Sequence, residues 1–182
     1  MVGLTVFAAV SGFLLYVSRK SLFLPRSHGF WRFFAWESIL ALLLLNLPRW
    51  FDNPFGPLQI VSWLLLLASI LLVVDGVRLL KRTGKPGGRS GGDELLAFEK
   101  TSTLVTSGVY RYIRHPLYAS LLTLAWGAFL KDPTPPGAVL AGCASLFLYL
   151  TALRDEEECL AYFGDAYRAY MLVTKRFVPF LF

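Results

Sequence analysis

The sequence predicts an all-α fold: a polytopic membrane helical bundle of about five transmembrane helices with a cytoplasmic C-terminal helical tail. Two observations lead to this prediction. Of the 182 residues, 55% are hydrophobic and only 16% are charged, whereas a soluble domain usually carries about 25% charged residues. The apolar residues also come in long blocks, without the alternation that is typical of strands.

Five apolar blocks are candidates for spanning helices, because a span needs about 20 mostly apolar residues. These blocks are residues 1–17, 33–47, 58–80, 117–130 and 138–153. The first and third meet this length, while the others need flanking residues to cross a bilayer. Residues 1–80 therefore predict three spans and residues 117–153 a helical hairpin, and the chain as a whole predicts a single membrane domain.

The basic residues predict the orientation of these spans. The stretches that follow the five blocks hold 4, 1, 8, 1 and 4 of the 18 Lys and Arg residues. Because basic residues concentrate on the cytoplasmic side, we expect the N-terminus outside, and the loop 81–116 and the tail 154–182 inside. The first block predicts a retained span and not a cleaved signal peptide, since no basic region precedes it.

Composition also excludes several function classes. The net charge of +6 comes from residues that flank spans, which favours membrane lipids over nucleic acid as partners. Two cysteines and two histidines are too few and too scattered for a disulfide framework or a zinc site, so we expect no metal. The glycine-rich stretch Thr83–Gly92 lacks the ending of a phosphate-binding loop and predicts a flexible loop, followed by a short surface helix over Asp93–Lys100.

One segment of the predicted cytoplasmic loop carries candidate chemistry: Tyr110–Tyr118, reading Tyr-Arg-Tyr-Ile-Arg-His-Pro-Leu-Tyr. Pro116 suits the first turn of a helix. Arg114 and His115 then lie at the mouth of a span, where backbone N–H groups and the helix dipole favour an anion. If the last two blocks form an antiparallel hairpin, the acidic cluster Asp155–Glu158 lies at the same end. Such groups could hold a zwitterion, although charged residues beside a span also serve simply to orient it.

Several motifs, taken in order, resemble a known family. They are Leu104–Tyr118, the acidic helix, Phe163-Gly164, Tyr167, Tyr170 and Phe177-Val-Pro179. This pattern resembles the membrane methyltransferases of the isoprenylcysteine carboxyl methyltransferase and phospholipid N-methyltransferase superfamily, over about residues 98–182. The resemblance implies S-adenosylmethionine as cofactor. It also implies a lipophilic or membrane-associated acceptor that enters from the bilayer, such as an isoprenylcysteine carboxylate or a phospholipid amine.

The resemblance further implies the site residues. The family's Arg-His-Pro element falls on residues 114–116, and its Glu-Glu pair falls on Asp155 and Glu156, so the first acidic position holds Asp here; Glu157 or Glu158 could compensate. The catalytic candidates are Arg114, His115 and Glu156: the first two orient the methionine carboxylate or polarise the acceptor, and Glu156 binds the amino group or hydroxyls. The cofactor-binding candidates are Val105, Thr106, Gly108, Tyr110, His115, Pro116, Tyr118, Asp155 and Glu156, and the tail 154–182 completes the site.

Two other functional classes stay open from the sequence. The run from Arg154 to Cys159 and the Tyr-Phe-Gly that follows resemble the ending of membrane sterol reductases, which use NADPH, although Leu117 and Ser120 depart from the reductase pattern. The third class is a non-catalytic membrane scaffold of the same fold. The acceptor, the oligomeric state and the role of Glu37, inside the second block, also stay open.

Overall fold

The computed structural model describes residues 2–85, 96 and 100–180, and these residues form six α-helices. The helices are α1 (Val2–Leu22), α2 (His28–Asn46), α3 (Pro57–Thr83), α4 (Pro116–Phe129), α5 (Pro135–Phe163) and α6 (Asp165–Val173). Short 3₁₀ turns lie at Leu47–Arg49 and Gly108–Arg111. The all-α prediction is confirmed. Most of the glycine-rich stretch and of the predicted surface helix at Asp93–Lys100 lies outside the described residues.

Three stretches among the described residues are long and apolar enough to cross a membrane: His28–Arg49, Pro57–Thr83 and Pro135–Phe163. α4 is a shorter apolar helix of 14 residues, about 21 Å long at about 1.5 Å per residue. α1 has 21 residues and is not among the three. The chain is thus a membrane helical bundle, as predicted, and the residues that the structure describes contain three helices that meet the criterion for a full span, against an expectation of about five.

Helix ends follow capping signals in the sequence. The side chain of Ser27 accepts a hydrogen bond from the backbone N–H of Phe30 at the start of α2, and α3, α4 and α5 each begin with proline. α5 continues through the acidic cluster, so residue 154, the expected start of the tail, lies inside this helix. α5 ends at Phe163, and the next residue, Gly164, has a φ of 59°, a conformation that glycine adopts without strain.

The helices pack through small residues. α2 packs mainly against α5, α3 packs against α4, and α1 lies on α2. Fully buried alanines occupy these contacts: Ala35, Ala125, Ala128, Ala141, Ala144 and Ala152. Gly127 allows α4 to approach α3 closely, because a Cβ atom there would lie 3.0 Å from Cδ2 of Leu66. Small residues at helix contacts are a common way to pack helices in a bilayer, where lipid is as apolar as the side chains.

Side chains from α2 and α3 cap the C-terminal end of α4. Asn46 Nδ2 donates to the carbonyl of Ala128 at 2.8 Å, and Ser62 Oγ donates to the carbonyl of Gly127 at 2.7 Å. The last carbonyls of a helix have no partner within it, and a buried carbonyl without a partner is costly. These bonds therefore fix α4 against its neighbours and so position its other end, where Arg114 and His115 lie.

Candidate active site

The C-terminal segment pairs with the residues that precede α4. The backbone N–H of Lys175 donates to the carbonyl of Tyr112 at 3.0 Å, Arg114 N–H donates to Lys175 at 2.7 Å, and His115 N–H donates to Arg176 at 3.2 Å. The two segments run parallel, with a bridge between Ile113 and Lys175. This pairing holds Arg114 and His115 against α5 and α6.

Glu156 is the centre of a buried ion-pair cluster, and its side chain is only 5% exposed. Its Oε1 accepts from Nε of Arg114 at 3.0 Å and from Nε of Arg176 at 3.0 Å, and its Oε2 accepts from Nη2 of Arg176 at 2.7 Å. Nη1 of Arg114 donates in turn to the carbonyls of Met171 and Thr174. Hydrogen bonds between charged groups are about twice as strong as neutral ones, so this cluster joins the residues before α4 to α5, to α6 and to the segment that follows α6.

Both ring nitrogens of His115 face carboxylates. Nε2 lies 3.2 Å from Oε1 of Glu156, and Nδ1 lies 3.4 Å from Oδ2 of Asp155. Burial alone lowers the pKa of His115, but the hydrogen bonds and negative charges of Asp155 and Glu156 outweigh burial and raise this pKa above its ordinary value. We therefore interpret His115 as an imidazolium, since only the charged ring can donate from both nitrogens.

A cavity of about 110 Å³ lies beside this cluster, between α3, the residues before α4, α5 and α6. Its lining combines polar and apolar side chains. The polar ones include Asp155, His115, Tyr118, Tyr167 and Tyr170, and the apolar ones include Leu80, Leu104, Leu117 and Phe163. A site with this lining can hold a ligand that has a charged end and an apolar end.

The tyrosines at the cavity are hydrogen-bond donors. Burial raises the pKa of Tyr167 and of Tyr170 well above the ordinary value of a phenol, so both hydroxyls keep their protons. Tyr170 donates its hydroxyl proton to the carbonyl of Tyr110. The ring of Tyr118 stacks on the ring of His115, with centroids 5.3 Å apart.

A second histidine reaches the cavity from the start of α2. The backbone N–H of His28 donates to Oε1 of Glu158 at 2.9 Å, and its Nδ1 lies 2.8 Å from Oε2 of the same carboxylate. Its Nε2 lies 3.5 Å from Nη1 of Arg32, a group that can only donate. This arrangement fits a neutral His28 with its proton on Nδ1.

His28, Asp155 and Glu158 also have the geometry of a candidate metal site, since their ligand atoms lie within 4.8 Å of one another. If a metal ion were bound to Nδ1 of a neutral His28, the ring proton would be on Nε2. That proton would then face the guanidinium of Arg32, which cannot accept a hydrogen bond. The hydrogen-bond pattern therefore favours a hydrogen bond from His28 to Glu158 at this position over metal ligation.

Most of the predicted site residues line the cavity. They are Val105, Tyr110, Arg114, His115, Pro116, Tyr118 and Asp155. Thr106, Gly108 and Glu156 are not among the residues that line it. Glu156 lies behind the cavity wall, within the ion-pair cluster. Gly108 shapes the turn beside α3: its φ is 58°, and a Cβ atom there would lie 2.6 Å from Cδ1 of Leu79.

Three further residues were not predicted or were left open from the sequence. His28 was missed. Like His115, it lies at the start of a helix: it directly follows Ser27, the N-cap residue of α2. Arg176 was missed as a site residue, although it directly precedes the Phe177-Val-Pro motif. Glu37 lies away from the cavity, where Ser11 of α1 donates to its Oε2 at 2.6 Å.

The fold and the cavity thus describe a membrane helical bundle with a charged, partly apolar site at one end. The chain belongs to the phospholipid methyltransferase family, whose sequence model matches residues 58–165. The family resemblance that the motifs predict is thereby confirmed.

Individual relatives are also methyltransferases by name, with one exception. The chain is 30% identical to the human protein-S-isoprenylcysteine O-methyltransferase over 150 residues, which are 80% of this chain and 52% of the relative. It is 31% identical to the rat protein of that name over 134 residues, 71% of this chain and 46% of the relative. It is 30% identical to the cobalt-zinc-cadmium resistance protein CzcN of Cupriavidus metallidurans over 152 residues, 83% and 62% of the two chains.

The chain spans about half the length of the isoprenylcysteine methyltransferases that it matches. No solved structure matches it at a significant level.

Proposed function

We propose that this protein is an S-adenosylmethionine-dependent methyltransferase that acts on a lipophilic acceptor. The observation that carries the proposal is the mixed lining of one cavity, where Asp155 and His115 lie together with Leu80 and Leu117. Membership of the phospholipid methyltransferase family and the names of the human and rat relatives support it. When bound, S-adenosylmethionine supplies a methyl group on an already activated sulfonium. The protein then needs mainly to bind, align and exclude water.

The residues at the cavity fit this donor. The carboxylate of Asp155, 25% exposed, can accept hydrogen bonds from an ammonium group. The rings of Tyr118 and Tyr167 suit a sulfonium, because aromatic faces attract cations. The cavity's volume of about 110 Å³ is below the roughly 300–1,000 Å³ of complete ligand pockets, so we expect it to receive the methionine end of the donor.

Arg114 and Glu156 act in this proposal as positioning residues. Their charged atoms are already bonded to each other, to Arg176 and to the end of α6. Glu156 also holds one nitrogen of His115, so it fixes the ring that faces the cavity. Asp155 takes the role of binding the amino group, which the family resemblance assigned to Glu156.

The same lining favours an acceptor that is already anionic. An ammonium or a neutral thiol must lose a proton to a base before it can attack a methyl group. The two histidines at the cavity have both ring nitrogens engaged, and the phenols of Tyr167 and Tyr170 have raised pKa values. A carboxylate needs no base, so we propose a carboxylate on a lipid-like chain in preference to a phospholipid amine.

The position of the cavity suits such an acceptor. α4 is about 21 Å long, against about 30 Å for the hydrocarbon core of a bilayer. If the C-terminal end of α4 lies at one membrane surface, its N-terminal end and the cavity lie within reach of acyl chains from the other surface. The distribution of basic residues assigns that other surface to the cytoplasm.

The proposal is tested by measuring cofactor binding to the variant Asp155→Asn and to a control, Asp165→Asn. The side chain of Asp165 is 97% exposed. We expect the purified wild-type protein to bind S-adenosylhomocysteine in a calorimetric titration. Asp155→Asn should weaken binding about tenfold or more, because it replaces a charge-assisted hydrogen bond. Asp165→Asn should bind as the wild type does.

A parallel titration with NADPH separates the enzyme classes. Binding of NADPH without binding of S-adenosylhomocysteine would contradict the methyltransferase and favour the reductase, and binding of neither would favour the scaffold. Thermal unfolding of both variants checks that a loss of affinity is not a loss of fold.

A further inference from the structure

The end of the bundle opposite the candidate active site contains a second cavity, of about 490 Å³. It lies where α2 ends, α3 begins and α4 turns into α5. Its charged lining residues are Arg49, Asp52, Lys131 and Asp132. Arg49 and Lys131 are also the two basic residues that the charge pattern places on the outer side of the membrane. Both cations of that side therefore meet at one cavity.

Lys131 is a buried cation without a carboxylate partner. It is 3% exposed, and no ion pair among the described residues includes it. Its Nζ donates to Oε1 of Gln59 at 3.2 Å and lies 3.1 Å from the ring centroid of Trp63. Withdrawing an ammonium from water is costly unless an anion or several acceptors compensate. The ammonium of Lys131 therefore favours an anion in the cavity that it borders.

The other charges of the cavity indicate what kind of anion fits. Arg49 contacts Asp52 at 3.2 Å, and both side chains are about 60% exposed, so this pair is weak and leaves guanidinium donors available. Asp132 lines the cavity next to Lys131. Two cations and two carboxylates match a zwitterion better than a free multivalent anion.

Exposed apolar side chains lie in and just after the loop between α2 and α3, which supplies much of the lining of this cavity. Phe51 is 74% exposed, Phe55 is 86% exposed and Leu58 is 54% exposed. Trp50 and Trp63 lie beside the ammonium of Lys131, and tryptophan at the end of a membrane bundle is typical of the headgroup level of a bilayer. The ligand of this cavity should therefore combine a charged head with acyl chains.

We infer that this cavity binds the zwitterionic headgroup of a phospholipid from the outer leaflet. Lys131 and Arg49 contact the phosphate oxygens, Asp132 faces the ammonium group, and the acyl chains run past Phe51 and Phe55. This lipid is a ligand at the end of the bundle opposite the methyl-transfer site, so the inference stands whether or not the proposed reaction is correct.

Native mass spectrometry of the delipidated, full-length protein tests the inference with added phosphatidylethanolamine. We expect a retained lipid on the wild type and about tenfold weaker retention for Lys131→Met, because a buried charge-assisted contact is removed. The matched control is Lys81→Met, which lies at the other end of α3 and is exposed. Retention by Lys81→Met should equal that of the wild type.

Two more variants keep the test valid if Lys131→Met does not fold. Arg49→Gln changes an exposed side chain and should weaken retention about threefold, as expected for one exposed contact. Asp132→Asn should reduce the preference for phosphatidylethanolamine over phosphatidic acid, which lacks the ammonium group.

Three outcomes would overturn the inference. One is equal lipid retention by the wild type and Lys131→Met, or, if that variant does not fold, by the wild type and Arg49→Gln. Another is equal retention of phosphatidylethanolamine and uncharged diacylglycerol. The third is a rise in thermal stability with inorganic phosphate as large as the rise with the lipid, which would assign the cavity to a free anion.

Discussion

Asp155 and Glu156 are neighbours in α5, yet the structure places them in different surroundings. Successive residues of a helix point about 100° apart, so when Asp155 faces the cavity, Glu156 faces the C-terminal segment. Asp155 is 25% exposed at its side chain and Glu156 is 5% exposed. His115 contacts both carboxylates, one through each ring nitrogen, and so links the residue that faces the cavity to the residue at the centre of the ion-pair cluster.

The burial of Glu156 predicts a large effect of its charge on stability. Glu156→Gln leaves the guanidinium groups of Arg114 and Arg176 without their carboxylate partner. Removing one partner of a buried pair typically costs about 3–5 kcal/mol, and we expect that loss in the free energy of unfolding, measured by denaturant titration in detergent micelles.

The adjacent residue provides the control. Glu157 is the same residue type, pairs with Arg154 at 2.7 Å and is 62% exposed. Exposed pairs are worth about 0–1 kcal/mol, so Glu157→Gln should leave stability nearly unchanged. Equal effects of the two substitutions would show that Glu156 does not hold the cluster together.

At the scale of elements, the contact between α3 and α4 positions the site. Gly127 lies against Leu66 near one end of this contact, and Gly76 lies against Leu117 near the other. Leu117 lines the cavity, so a change in the distance between these two helices reaches the site directly.

Gly127→Ala tests this contact. Its added methyl group would lie 3.0 Å from two atoms of Leu66 and 3.3 Å from Cβ of Leu65. Overpacking of this kind typically costs about 1–3 kcal/mol, which over most of that range exceeds the roughly 1 kcal/mol that alanine gains over glycine in a helix. We expect a lower free energy of unfolding for this variant.

Gly142 of α5 serves as the matched control, because a Cβ atom there meets nothing within 4 Å. Gly142→Ala should be neutral or stabilising through helix propensity alone. Equal free energies of unfolding for Gly127→Ala and Gly142→Ala would contradict the close contact between Gly127 and Leu66.

At the scale of the molecule, the sequence predicts the helices well wherever burial in lipid determines their composition. The apolar blocks correspond to α1–α5, and Pro116 and Gly164 mark a helix start and a helix break where the structure has them. α5 runs through the charged residues 154–158 to Phe163, as expected for a helix that leaves the membrane and breaks at Gly164. Two of those charges have partners in other parts of the chain: Arg114 and Arg176 pair with Glu156, and His28 donates a hydrogen bond to Glu158.

The candidate site is predictable in part. His115 and Asp155 follow from motifs that lie within about half of the chain. The pair of His28 with Glu158 spans 130 residues and has no local pattern, so only the packing of α2 against α5 reveals it. The separate roles of Asp155 and Glu156 depend on the rotation of α5 about its axis, which neither hydropathy nor motif order determines.

The most direct test of the central claim is methyl transfer by the purified protein in lipid vesicles. The donor is S-adenosylmethionine with a labelled methyl group, and the acceptors are a prenylated cysteine carboxylate and phosphatidylethanolamine at equal density. Base releases methanol from a methyl ester but not from an N-methyl group, which distinguishes the products. We predict base-labile label from the carboxylate, lost in Asp155→Asn and kept in Asp165→Asn. Label on the amine alone would contradict the acceptor class, and no label on either acceptor would contradict the methyltransferase itself.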